Sequence, residues 1–158
     1  MLVMEGTSKR VLPNNIFFAW VEEEIAAGRS VRFVVNGFSM MPLLRNGRDE
    51  VLLEPCDPQS IAKGNILLFR YKGAHILHRV TGMERQSGKI LFRGDNVFGR
   101  REECLPSDVV GRVSEIYRCN GGKTVKRAPE SAVYNVILLF WRILRMGMIA
   151  AGKVKRLF

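Results

Sequence analysis

Between Arg29 and Arg127 the chain is a succession of short apolar runs, and no other feature narrows its fold as far. "VRFVV", "EVLLE", "NILLFRY", "HILHRVTGM", "KILFRG" and "DVVGRVSEIYRC" are bounded by Gly, Asn, Pro or Asp, and several alternate apolar with polar residues. Alternation with a period of two places successive side chains on opposite faces of an extended strand, so these runs predict strands. The connections agree. "YKGAH" around Gly73 and "RQSGK" around Gly88 have hairpin character, and "RCNGGKTVKR" holds an Asn-Gly pair at Asn120 and Gly121, a strong short-range hairpin signal. Many short strands in succession predict a mainly β fold: a small curled antiparallel β-sheet or a barrel-like core. The chain has no internal repeat and no low-complexity segment.

Helical patterns flank that core. In "NNIFFAWVEEEIAAG", Asn14 or Asn15 can cap a helix whose apolar residues Phe17, Phe18, Val21 and Ile25 recur near helical spacing, ending near Gly28. Glu22, Glu23 and Glu24 make it a soluble amphipathic helix. "MLVMEGTSKRVLPNN" has no basic start followed by an apolar core, so no signal peptide is expected. After Pro129, a cap at Ser131 opens a second helix from Ala132 towards Ala151. Its uninterrupted apolar run, Val136 to Trp141, falls well short of the roughly 20 residues a spanning helix needs, and Arg142 and Arg145 follow. The expected organisation is an N-terminal segment and helix over 1–28, a β-rich core over 29–127 and a basic amphipathic helix and tail over 128–158, with 158 residues enough for one domain with appendages.

Lys and Arg number 25 against 15 Asp and Glu, a formal net charge of +10 that favours anionic partners. From Lys123 onward eight basic residues face a single acid, Glu130. For the C-terminal helix two occupants stand level. One is an anionic membrane surface met by residues 131–158, with Lys153, Lys155 and Arg156 near the headgroups; the other is the domain itself or a partner chain. No arrangement of basic and aromatic residues reads as a specific nucleic-acid interface. Cys56, Cys104 and Cys119 lack C-x-x-C spacing and the chain has two histidines, so reduced thiols in a cytoplasmic or peripheral-membrane protein are expected, with no metal and no cofactor.

"VNGFSMMPLL" (35–44) interrupts the strand pattern with one exposed-looking hydroxyl. Gly37 can adopt backbone angles other residues resist, Pro42 restricts the exit, and Ser39 between them is held where a nucleophile belongs. A serine nucleophile needs a base, and the histidines of "HILHRV" are the candidates. His75 and His78 lie three apart and so point to opposite faces of a strand; at most one can serve Ser39, and His78 is the better placed.

"GFSMMPLL" resembles the nucleophile box of the signal peptidase I family, which is glycine, any residue, serine, methionine, any residue, proline. "KGNILLFRYKGAHILHRVTGM" is similar to the family's second box, "RGDNVFG" to its glycine-aspartate-asparagine box and "DVVGRV" to its closing strand, in the family's order across residues 36–114. Where most bacterial members and the related LexA-type repressors carry a lysine base, "LHRV" resembles the histidine branch found in endoplasmic-reticulum and archaeal enzymes. The resemblance implies a serine endopeptidase with Ser39 as nucleophile, His78 as base and Asp95 as the acid that supports it. It also implies an acyl-enzyme on a peptide or protein substrate and a groove for small residues. Two other expectations rank lower. A LexA-type self-cleaving protein would cut at Ala27-Gly28, only eleven residues before Ser39 (39 minus 28). A non-catalytic β module would bind a membrane or a partner.

Overall fold

The computed structural model describes residues 2–5, 8–11, 13–120, 123–129 and 132–154. Two short strands, β1 (Leu2–Glu5) and β2 (Ser8–Val11), form a hairpin ahead of helix α1 (Asn14–Ala26), and β1 also touches β3 through Val3 opposite Phe33. This hairpin lies in a segment whose sequence announced only the helix. α1 forms as its spacing requires, with Phe17, Val21 and Ile25 buried. Its cap differs from the expected asparagine: Pro13 is the N-cap residue and Asn14 is already helical. Proline suits this boundary because the first helical turn has no use for its missing N–H.

The expected strands follow as β3 (Val31–Val34), β4 (Asp49–Glu54), β5 (Ile66–Tyr71), β6 (Ala74–Met83), β7 (Ile90–Arg93), β9 (Val109–Asn120) and its hairpin partner β10 (Lys123–Arg127), joined by a short strand that the sequence did not announce, β8 (Glu102–Cys104). Every pairing is antiparallel, in the order β2-β1-β3-β4-β9-β5-β6-β7-β8, with β10 on β9. β9 carries β4 on one edge, and β5 then β10 along the other. Register shifts between Leu52 and Leu53, Leu68 and Phe69, and Val80 and Gly82 insert bulges that bend and twist the strands. The result is a curled sheet that remains open, because among the described residues its end strands β2 and β8 do not pair.

The β5–β6 turn shows how closely local chemistry is obeyed. Tyr71 pairs with Ala74, and the two residues between them, Lys72 and Gly73, have φ of 49° and 77°. Positive φ at both positions is the type I′ turn, whose twist matches that of the strands. The turn expected at Asn120 and Gly121 lies partly outside the described residues, and the Ser131 cap lies wholly outside them.

β5 divides the interior. Ile66 and Leu68 join the cluster beneath α1, with Phe17, Val21, Phe33, Leu43, Val51 and Leu53. Leu67 and Phe69 face the other way, into a second cluster of Ile61, Val80, Ile90, Phe92 and Cys104. All four β5 side chains are at most 1 % exposed, as expected of a strand buried on both faces, and at roughly 1.5–3 kcal/mol each they anchor the sheet.

Helix α2 (Ala132–Val154) packs through Tyr134 and Leu138, while Val136, Leu139, Phe140, Ile143 and Met148 are exposed. Among the described residues no helix is long and apolar enough to cross a membrane.

Candidate functional site

Ser39 sits in the loop between β3 and β4, and that loop is anchored at both ends. Val35 N–H donates to the Asp49 carbonyl and Gly47 N–H to the Val35 carbonyl, each at 2.9 Å, closing the loop's base. Gly37 has φ 111°, a value only glycine takes without strain, and its N–H donates to Asn46 Oδ1 at 2.8 Å. The Asp49 side chain, fully buried, accepts from Arg45 N–H at 2.9 Å and is forked by Arg48 at 2.6 and 2.9 Å. Burial alone would raise this carboxyl. The Arg48 hydrogen bonds, the Arg45 N–H and the charges of Arg118 and Arg48 outweigh it and hold Asp49 below the usual carboxylate range.

The loop after β7 meets Ser39 from the other side. Asn96 N–H donates to the Ser39 carbonyl at 2.8 Å, and Asn96 Nδ2 to the Phe38 carbonyl at 3.0 Å. Gly94 lies where nothing larger fits. A Cβ there would stand 2.7 Å from the Ser39 carbonyl oxygen and 2.8 Å from His78 Nε2. These two atoms therefore crowd the same point, which brings the Ser39 backbone and the His78 ring together across the Gly94 backbone.

His78 is buried, and its Nδ1 lies 3.0 Å from Glu102 Oε2. The side chain of Glu102 is 6 % exposed. With Nδ1 donating to that carboxylate, the neutral ring carries its lone pair on Nε2, the nitrogen near Ser39. Register explains the meeting. His78 pairs with Leu67 on β5 and shares a face with Val80, while Glu102 pairs with Phe92 on β7 and shares a face with Cys104. All belong to, or border, the second cluster.

Asp95, expected beside the base, is instead forked by Arg79, Nε to Oδ1 and Nη2 to Oδ2, both at 2.9 Å. Arg79 Nη1 also donates to the Gly64 carbonyl at 2.7 Å. The acid on His78 is Glu102. Asp95 holds the loop that carries Gly94 and Asn96 and reaches the site through its neighbours. Sequence reasoning passed over Glu102 because "REEC" offers no strand pattern; the available signal was its position opposite the β7 run.

His75 points to the other face, as the spacing required. Its Nε2 is 2.6 Å from Glu22 Oε1 on α1, and its ring stacks on Phe18 with centroids 4.5 Å apart. The Ala27-Gly28 bond closes the C-terminal turn of α1, where Ala27 and Gly28 donate to the Glu23 and Ile25 carbonyls, at the opposite end of β3 from Ser39.

A cleft of about 280 Å³ runs along Val35, Gly37, Ser39, His75, Leu77 and His78, so both histidines border it. One wall is unusual. β6 pairs with β5 from Ala74 to Arg79 but with β7 only from Arg79 onward, so along His75–His78 its second edge has no strand partner among the described residues. A hydroxyl, an imidazole oriented by a buried carboxylate, and an open strand edge thus share one cleft, a set suited to acyl transfer on an extended chain. No protein-family model matches the sequence, and no curated protein matches it significantly.

Proposed function

We propose that the chain is a serine endopeptidase of the signal-peptidase type, using Ser39 as nucleophile and His78 as general base, with Glu102 orienting the base. One observation carries the reading: His78 offers Glu102 its Nδ1 and presents Nε2 beside the Ser39 backbone, over a glycine that leaves no room for a side chain. That is the tautomer a base needs in order to take a serine proton.

The substrate lies extended along the open edge of β6. His78 Nε2 takes the Ser39 Oγ proton as Oγ bonds to the scissile carbonyl carbon, and the carbonyl oxygen becomes an oxyanion. Among the described residues the N–H groups of Ser39 and Met40 have no acceptor, and backbone donors at the nucleophile are what such an oxyanion requires. The C–N bond then breaks, His78 returns its proton to the leaving amine, and an ester to Ser39 remains. Water, deprotonated by His78, attacks that ester and releases the acid.

A serine-directed fluorophosphonate probe tests the proposal. Labelling is expected on Ser39 and is lost in Ser39→Ala and His78→Ala variants that keep the wild-type circular dichroism. Equal labelling of wild type and Ser39→Ala, or none at slightly alkaline pH, overturns it.

A further inference from the structure

A second cavity, of about 610 Å³, opens between α2 and strands β6 and β7, away from the Ser39 cleft. Its lining carries five cationic side chains, Lys63, Arg79, Arg93, Arg101 and Arg142, and no acidic one, the rest being uncharged and including Leu138 and Leu139 of α2. Arg79 is neutralised by Asp95. For the other four, no carboxylate among the described residues forms an ion pair. Arg93 shows the strain of this arrangement. Burial first, then the charges of Arg142 and Arg101, hold its guanidinium below the ordinary value, and Asp95 opposes them only in part.

Like charges turned into one cavity are costly to fold unless an anion joins them, and guanidinium groups favour the forked geometry of phosphate oxygens. The cavity is large enough for more than a bare ion. It also has an apolar border: Leu139, Phe140 and Ile143, each more than half exposed, continue from it along the outer side of α2. We propose that this cavity binds a phosphate-bearing anion, held by Arg93, Arg101, Arg142 and Lys63. The same chemistry is offered by a soluble phosphate compound and by an anionic phospholipid headgroup. The proposal is independent of the chemistry at Ser39.

The test has two arms, each run on wild type, Ser39→Ala, Arg93→Gln and Arg142→Gln. Titration calorimetry with inorganic pyrophosphate reads the soluble source. Flotation with vesicles of phosphatidylcholine alone, or mixed equally with phosphatidylglycerol, reads the lipid source. Wild type and Ser39→Ala are expected to bind alike in at least one arm, and Arg93→Gln and Arg142→Gln at least about tenfold more weakly, as fits the loss of one charge-assisted contact. Arg101→Gln, at an exposed position, keeps the test open if the half-buried substitutions fail to fold. Lys72→Gln, at the β5–β6 turn, removes the same charge elsewhere and is expected to bind as wild type. Absence of binding in both arms overturns the site. So does binding that the cavity variants retain, or that Lys72→Gln weakens equally, since net charge alone would then account for it.

Discussion

His75 and His78 lie three residues apart on β6, and each has a glutamate oxygen within hydrogen-bond distance, yet the two pairs are built differently. His75 gives Nε2 to Glu22, with side chains 21 % and 31 % exposed, and lies flat on Phe18. His78 gives Nδ1 to Glu102, with side chains 7 % and 6 % exposed. The first pair ties α1 to the sheet and occupies Nε2. The second leaves Nε2 without a hydrogen-bond partner among the described residues, close to the Ser39 backbone across Gly94. A histidine beside an acid is therefore not in itself a base. What distinguishes them is which ring nitrogen the acid holds, and whether water competes for the contact.

The sharpest way to break this contrast is to neutralise each acid. In Glu102→Gln the amide can donate to Nδ1, which moves the ring proton to Nε2, where it blocks proton uptake from Ser39. The rate of probe labelling is expected to fall by about 10²–10⁴-fold. The melting temperature should change little, and the pH–rate profile should shift in a way a purely structural role would not produce. Glu102→Asp, keeping the charge, should recover part of the rate. Glu22→Gln and His75→Ala should leave labelling within about twofold, at a stability cost of about 1 kcal/mol for His75→Ala through the lost ring stacking. Equal losses from the two glutamines would dissolve the distinction.

Asp95 offers the next test, because it is buried like Glu102 but belongs to Arg79. Removing one partner of a buried ion pair strands the other, so Asp95→Asn should cost about 3–5 kcal/mol of stability, read by denaturant unfolding. The effect on labelling should follow the folded fraction. If Asp95→Asn instead keeps its stability and loses labelling with a shifted pH profile, Asp95 rather than Glu102 supports the base.

These assignments mark where the sequence was legible. β3 to β7 and β9 fall on the apolar runs that predict them, because bulk alternation and turn residues are local properties. The Ser39 turn was legible for the same reason: Gly37 and Pro42 state backbone requirements. The division of the histidines followed from strand parity alone. Glu102 was not legible. β8 is three residues long, two of them glutamates, and its burial comes from pairing with β7, a contact no local pattern encodes. Asp95 attracted the role because it sits in a recognisable string, whereas its partner was settled by which acid the folded sheet turned towards Arg79. The β1–β2 hairpin was missed because its strands, four residues each, carry no alternation strong enough to stand out.

The smallest expected effect separates buried from open carboxylates through acid. Asp49, fully buried under Arg48, has a folded value below its unfolded one of about 3.9, so its contribution to stability is complete above that value and is lost as pH falls through the folded value. Glu22, a third exposed, has no such enclosure. The melting temperature of wild type should thus fall between pH 5 and lower values more steeply than that of Asp49→Asn, which starts less stable and titrates nothing there. Since Asp49 closes the loop that holds Ser39, the same variant should label more slowly at neutral pH while remaining folded. A melting curve for Asp49→Asn as steep in acid as that of wild type would assign the acid response to other carboxylates, and would remove Asp49 as the anchor of the nucleophile loop.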